Sequence, residues 1–287
     1  MRAGKAGGTF VIFSEMNNQH PTSNARHSLA SQSAAHWMLD DVSAFRRLKV
    51  VILLIAGTGL LAIQPFAKDS FTSGVEAYET GDFAKAAKAF RDETSAQPAS
   101  GAYQNLGNAE WRLGHAGNAI VAWERALWLN PFDGNSRTNL LFARDAAQLE
   151  APELRWYEAG STWMPRNFWA WLMAISLWLV VGIIILPTVL RWQRASWHQA
   201  LAALGLGVFL LSLPANLGVW TRSRIGFVLG KNIPLRFTPT EEAEAITKLA
   251  AGEPARLVRA RGNYLFIRTS RNAGWVERSQ FELISPR

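Results

Sequence analysis

Cysteine is absent from the chain, which excludes disulfides, thiolate nucleophiles and Cys-ligated metals but leaves the compartment open. Histidine is scarce and scattered: His20, His27, His36, His115 and His198 form no H-E-x-x-H or other metal-ligand spacing. The glycine pairs GTG (57–59) and GLG (205–207) sit inside apolar runs, not in turns after a strand, so neither cradles a phosphate. P-loop, nucleophile-elbow and Ser-x-x-Lys patterns are missing too. The acidic run EEAE (241–244) reads as a solvated helix or loop. No catalytic, cofactor-binding or metal-binding residue is assigned, and the expectation is a protein that is not an enzyme. Nucleic acid is not expected as a partner, because no arginine-rich helix or aromatic-studded basic strand is present.

Charge is missing altogether from two long segments, FWAWLMAISLWLVVGIIILPTVL (168–190) and HQALAALGLGVFLLSLPANLGVW (198–220). A 23-residue helix reaches roughly 34 Å, enough to cross a bilayer core. Soluble helices rarely run this long while apolar on every face. Both segments are expected to be transmembrane helices, with Pro187 and Pro214 kinking them near one end. Many of the 13 Trp lie beside these blocks, where amphipathic rings favour the membrane interface. The connection 191–197 carries Arg191 and Arg194, so the positive-inside tendency makes it a cytoplasmic loop. The flanking soluble segments then fall on the periplasmic or external side of a bacterial inner membrane. Arg222 and Arg224 pull against that orientation.

A shorter apolar run, VVILLIAGTGLLAI (50–63), follows Arg46, Arg47 and Lys49 and resembles a signal-peptide h-region. QPFA after it ends in a small residue, but Pro65 stands where A-x-A wants a small side chain. Residues 46–67 therefore read either as a cleaved signal or as an N-terminal membrane anchor. Residues 1–45 are polar and aperiodic, a disordered leader or a mis-assigned start with Met38 the true one.

What remains is two soluble segments. Residues 68–163 hold 9 Lys/Arg against 13 Asp/Glu, whereas 222–287 hold 12 against 6. Within the first, Gly74, Gly81, Ala86, Phe90 and Pro98 recur as Gly107, Gly114, Ala119, Trp123 and Pro131, 33 residues on. Small residues let paired helices approach, aromatics fill between pairs, glycines turn the chain and prolines end the second helix. This pattern resembles the tetratricopeptide repeat, over 68–150 with a capping helix at its end. In that last helix Leu140, Leu141 and Ala147 are expected to face the repeats. The resemblance implies an α-helical solenoid whose groove binds extended peptides. Its candidate lining is Tyr78, Asn105, Asn108, Glu110, Trp111 and Arg112.

Residues 151–167 read as a linker. From Pro234 the text turns to short alternating runs, ARLVRA, YLFIRT and AGWVE, separated by glycine and asparagine turns. The order PLR, L-x-x-GE, GNYLFIRT and GWVE resembles a bacterial SH3-like domain, a small β-barrel assigned to 221–287. Its candidate ligand surface is Arg236, Tyr264, Phe266, Arg268, Arg271 and Trp275. Alternation separates Tyr264 and Phe266 from Leu265 and Ile267 without saying which pair is core.

The whole order, signal or anchor, repeats, two-helix transmembrane hairpin, SH3-like domain, resembles the BatE-type component of the Bacteroides-aerotolerance (Bat) family. That resemblance implies an envelope scaffold with no catalytic residue, working with von Willebrand A-domain membrane proteins and a MoxR-type AAA+ ATPase. A protein-recruiting adaptor is the first reading. A cell-wall-binding or envelope-sensing protein, with cell-wall polymer on the SH3-like domain, is the alternative. A third is intramolecular, the basic segment docking on the acidic one through charge.

Overall fold

The computed structural model describes residues 68–191 and 196–285. The leader, the signal or anchor and most of the 191–197 loop lie outside the described residues. Five helices come first: α1 (Lys68–Glu79), α2 (Phe83–Ala96), α3 (Ser100–Arg112), α4 (Ala116–Leu129) and α5 (Gly134–Ala146). Gly81 and Gly114 both adopt the left-handed conformation, φ +83° and +79°, so the two turns between paired helices match. Asp82 accepts from the amide of Lys85 at 3.0 Å to cap α2, and Asp133 caps α5 through Ser136.

The pairs α1/α2 and α3/α4 repeat one contact. A Cβ on Gly74 would overlap the Phe90 ring, and one on Gly107 would overlap the Trp123 ring. Each ring thus sits over the glycine of its own pair, where the sequence pattern had placed it between pairs. In α5, Leu140 is buried against the array, but Leu141 is 61% exposed and Ala147 is exposed as well. Ala143 takes the inward place expected of them.

The segment read as a linker contains a short helix, α6 (Trp156–Ser161). Two long helices follow, α7 (Arg166–Val189) and α8 (Ser196–Arg222), both long and apolar enough to cross a membrane. α7 begins two residues before its apolar run and ends one short of it, α8 exceeds its run by two residues at both ends, and both continue through their prolines. They pack on one another, with Gly205 against Val180. Asn216 joins them by donating to the carbonyl of Trp169 at 3.0 Å.

The chain ends in seven strands: β1 (Ile225–Val228), β2 (Ile233–Arg236), β3 (Ala245–Leu249), β4 (Pro254–Arg261), β5 (Tyr264–Arg268), β6 (Ala273–Glu277) and β7 (Phe281–Leu283). They form one antiparallel sheet in the order β3-β2-β6-β5-β4-β1-β7. The expected barrel is not formed: β3 and β7 are open edges. At the β7 edge the guanidinium of Arg125, from α4, takes the Leu283 carbonyl at 2.8 Å in place of a further strand.

Leu265 and Ile267 are the core pair of β5, with Val228, Leu235, Leu249 and Val276. Tyr264 and Phe266 face outward. A bulge at Val258 keeps Arg256 and Arg259 on that same outer side, opposite Arg268 and Phe266.

Sheet and helices share a second core. Ile120 and Trp123 of α4 and Leu140 and Ala143 of α5 bury with Ile225, Phe227 and Ile284. Phe227 and Ile120 are fully buried there.

Candidate functional site

Candidate residues fall on three surfaces: the face of the helix array, the outer face of the sheet, and the junction between them. On the array, Trp111 packs edge-on against Phe142 (6.0 Å between centroids) and tilted on Trp123 (5.9 Å). Phe142 is 62% exposed, so an aromatic ridge reaches solvent at the α3/α5 groove. Asn108 lies beneath it, accepting from Trp123 Nε1 (3.1 Å) and from Asn139 Nδ2 (2.8 Å). Arg112 stacks its guanidinium 4.3 Å above the Phe83 ring, and Phe83 meets Tyr78 edge-on. Asn105 is half-buried on α3.

Glu110 departs from the expected lining. It is only 2% exposed and is held by Arg91 of α2 and by His115 Nδ1 (2.8 Å). A carboxylate that far from water must be paired, so it fastens α3 to α2 and to the α3–α4 turn instead of facing a groove. The structure thus brings Trp111 and Asn108 together, adds Phe142 and Asn139, and removes Glu110.

The sheet's outer face is a cross-strand row. Arg236 of β2 lies opposite Trp275 of β6, Trp275 opposite Phe266 of β5, and Phe266 opposite Arg259 of β4. Phe266 and Trp275 meet edge-on at 5.2 Å, and Arg259 lies 5.1 Å over both rings. Trp275, a candidate for the ligand surface that a core or rim position would equally suit, is only 5% exposed; its neighbours cover it. Arg236 donates to the backbone carbonyls of Glu241 and Ala243. Arg259 was not visible as a site residue, since the Val258 bulge that orients it leaves no mark in the sequence.

At the junction, glycines mark close approach. A side chain on Gly117 of α4 would run into the carbonyls of Val228 and Leu229. One on Gly218 of α8 would meet the Tyr157 carbonyl of α6, and one on Gly252 would meet Ile120. Glu158 of α6 is fully buried and paired with Arg256 of β4 at 2.8 and 3.0 Å. Burial alone would raise the Glu158 carboxyl. Hydrogen bonds from Arg256, Thr221 and the Arg155 amide outweigh that and hold it below the ordinary carboxylate value.

Beside this pair lies a cleft of about 490 Å³ between residues 147–155 and the sheet. Arg268 and Arg271, both expected on a ligand surface, line it. Arg271 is already engaged by Glu150 at 3.0 Å, while Arg268 points out without an ion pair among the described residues. The lining sets Glu150, Glu153 and Glu253 against Arg155, Arg256, Arg268 and Arg271, so the cleft carries an excess of one cation. Among the described residues no group of His, Asp or Glu is placed to hold a metal ion.

No family model matches the chain, and no curated protein matches it.

Proposed function

We propose that the chain is a membrane-tethered, non-enzymatic scaffold, whose helix pairs form a short tetratricopeptide-like array that docks a partner protein's peptide. The repeated contact of glycine under aromatic ring, Gly74 with Phe90 and Gly107 with Trp123, carries this reading. Matching left-handed glycines in the two turns support it. Two pairs make a marginal solenoid, because about three units are normally needed to cover a core. The α5 helix and the sheet supply the missing cover through Ile225, Phe227 and Ile284. The SH3-like sheet is then a fixed partner of the array and not a second arm on a linker.

In this reading α7 and α8 are a transmembrane hairpin of a multi-pass protein in a bacterial inner membrane, with array and sheet on the periplasmic side. The resemblance to the Bat family makes von Willebrand A-domain membrane proteins and a MoxR-type AAA+ system the first partners to test. The cell-wall alternative needs an open aromatic platform for sugar rings, and Trp275 is covered by Arg259 and Phe266. The adaptor reading is therefore preferred. Docking of sheet on array is not purely electrostatic, since their shared core is apolar; of the ion pairs around it, Arg125–Glu282 puts the cation on the helices, whereas Glu150–Arg271 and Glu158–Arg256 put it on the sheet.

A photo-reactive residue placed at Arg112 or Phe142, with Ala84 on the outer side of α2 as control, tests the groove in cells. One discrete protein adduct from the first two positions and none from the third is expected. Adducts of equal yield from all three, or from none, would reject the groove.

A further inference from the structure

The path of β4 past the end of α8 has a functional consequence. Only Ser223 and Arg224 separate the last helical residue, Arg222, from β1, and the carbonyl of Arg224 accepts from the Leu257 amide of β4 at 2.8 Å. The antiparallel pairing of β1 and β4 stops at Ile225 opposite Arg256. Beyond that point β4 runs on in the direction opposite to β1, for Val258 to Arg261, before turning at Gly262. Four residues of strand extend about 13 Å. β4 thus passes the end of α8, where Arg256 also donates to the Thr221 carbonyl at 3.2 Å, and its tip lies on the side of that end opposite to β1.

The side chains there suit a membrane surface. Arg259 and Arg261 are exposed, alternate to the same face of β4, and have no ion pair among the described residues. Val258 between the sheet and the tip is 44% exposed. Arg224 lies 4.9 Å over the ring of Trp220, which is itself 58% exposed. Trp163, just before α7, is 73% exposed at the same end of the helix hairpin. Exposed aromatic rings at the end of two apolar helices, with guanidinium groups on the adjoining strand that lie over rings or in solvent and meet no carboxylate among the described residues, match an interface of acyl chain, glycerol and phosphate.

We infer that Arg224, Arg259 and Arg261 form a binding surface for anionic phospholipid headgroups, seating the sheet on the membrane. The inference rests on the reading of α7 and α8 as membrane spans. A cationic side chain near an anionic surface strengthens binding by about fivefold each, and salt removes that gain. Seating the sheet also orients the array, because Phe227 and Ile120 share one core.

The absence of cysteine makes a clean test available. The full chain carrying Ala260→Cys, labelled with a fluorophore at the tip, is placed in phosphatidylcholine nanodiscs with and without phosphatidylglycerol. A lipid bearing a headgroup nitroxide serves as quencher. Quenching that is roughly twofold or more stronger with phosphatidylglycerol, and that is lost at high salt and in R259Q/R261Q, is expected. The K85Q/K88Q variant, with charges removed from α2, should behave as the parent. Equal quenching in both lipids, with the chain retained in the discs, overturns the headgroup surface. Equal loss from K85Q/K88Q overturns it as well, leaving only net charge. A chain not retained in either disc instead overturns the membrane reading beneath it.

Discussion

The two helix pairs carry the same contact and meet different fates. In the first, Phe90 covers Gly74 within a core of alanines, Ala77, Ala86, Ala87 and Ala109, closed by Tyr103 and Leu106 of α3, and α1 lies at the end of the described array. In the second, Trp123 covers Gly107 within a core of Ile120, Trp128 and Leu140, which continues into the sheet through Ile225 and Phe227. A repeat's stability is the sum of its own packing and its neighbour's. Local sequence similarity therefore does not make the pairs equal: the second inherits the sheet as its neighbour, and the first has none on its outer side among the described residues.

The largest expected effect breaks that inheritance. Phe227→Ala removes a fully buried ring shared by sheet and array and should cost about 3–5 kcal/mol. Phe90→Ala removes a ring almost as buried, yet its effect should stay local. Hydrogen exchange on the full chain in micelles distinguishes them. The first variant should expose amides of α4, α5 and β1 together, and the second only those of α1 and α2. Loss of protection across the sheet in Phe90→Ala would mean that the array is one cooperative block.

The next effect tests the junction. Arg256→Met leaves the fully buried Glu158 without its main partner, a change expected to cost about 3 kcal/mol, the low end for a broken buried pair because Arg256 is itself 31% exposed. Acid should mimic it. The folded Glu158 carboxyl lies below its ordinary value, so its contribution is fully present above the unfolded pKa of about 4.3. It is lost as pH falls through that value and through the lower folded one. Glu158→Gln should flatten this part of a stability-against-pH curve; an unchanged slope would remove Glu158 from the linkage.

How much of this was legible beforehand depends on what leaves a periodic trace. The paired helices and the long apolar helices do, because spacing, turn glycines and absence of charge are all local. Strands β4, β5 and β6 were readable from alternation. Strand β1, IGFV, was not, since all four residues are buried and no alternation survives directly after an apolar helix. The small α6 was hidden inside a presumed linker. Glu110 was misplaced because its partner Arg91 sits 19 residues away, and long-range pairing has no sequence signature. Gly117, Gly218 and Gly252 carried no mark in the sequence as points of close approach, because what each one meets lies far along the chain or on another element. The open sheet, the lining of the junction and Arg259 were illegible for the same reason, being products of tertiary contact.

A smaller effect sharpens the comparison at its source. Gly107→Ala pushes a methyl into the Trp123 ring, which is 2% exposed and anchored through Asn108. It is expected to cost about 2 kcal/mol, against about 1 kcal/mol for Gly74→Ala, where the Phe90 ring has no polar anchor and a freer helix beside it. Chemical denaturation read at Trp123 should separate the two. Equal costs would show that the helix at the end of the array yields no more readily than the one against the sheet.

The smallest effect belongs to the apolar hairpin, where the rules of the soluble pairs reverse. No glycine-under-ring contact holds α7 to α8; Asn216 spans them with one hydrogen bond to the Trp169 carbonyl and another to Ser212 within α8. In water-exposed packing a buried amide with two partners would be a costly group to remove. Inside a bilayer the separated helices also find partners for it, and such bonds average about 0.6 kcal/mol. Asn216→Leu should therefore weaken the hairpin by no more than about 1 kcal/mol in a steric-trapping measurement in bicelles. A loss of several kcal/mol would mean that α7 and α8 pack as soluble core helices do, and would count against their placement in a membrane.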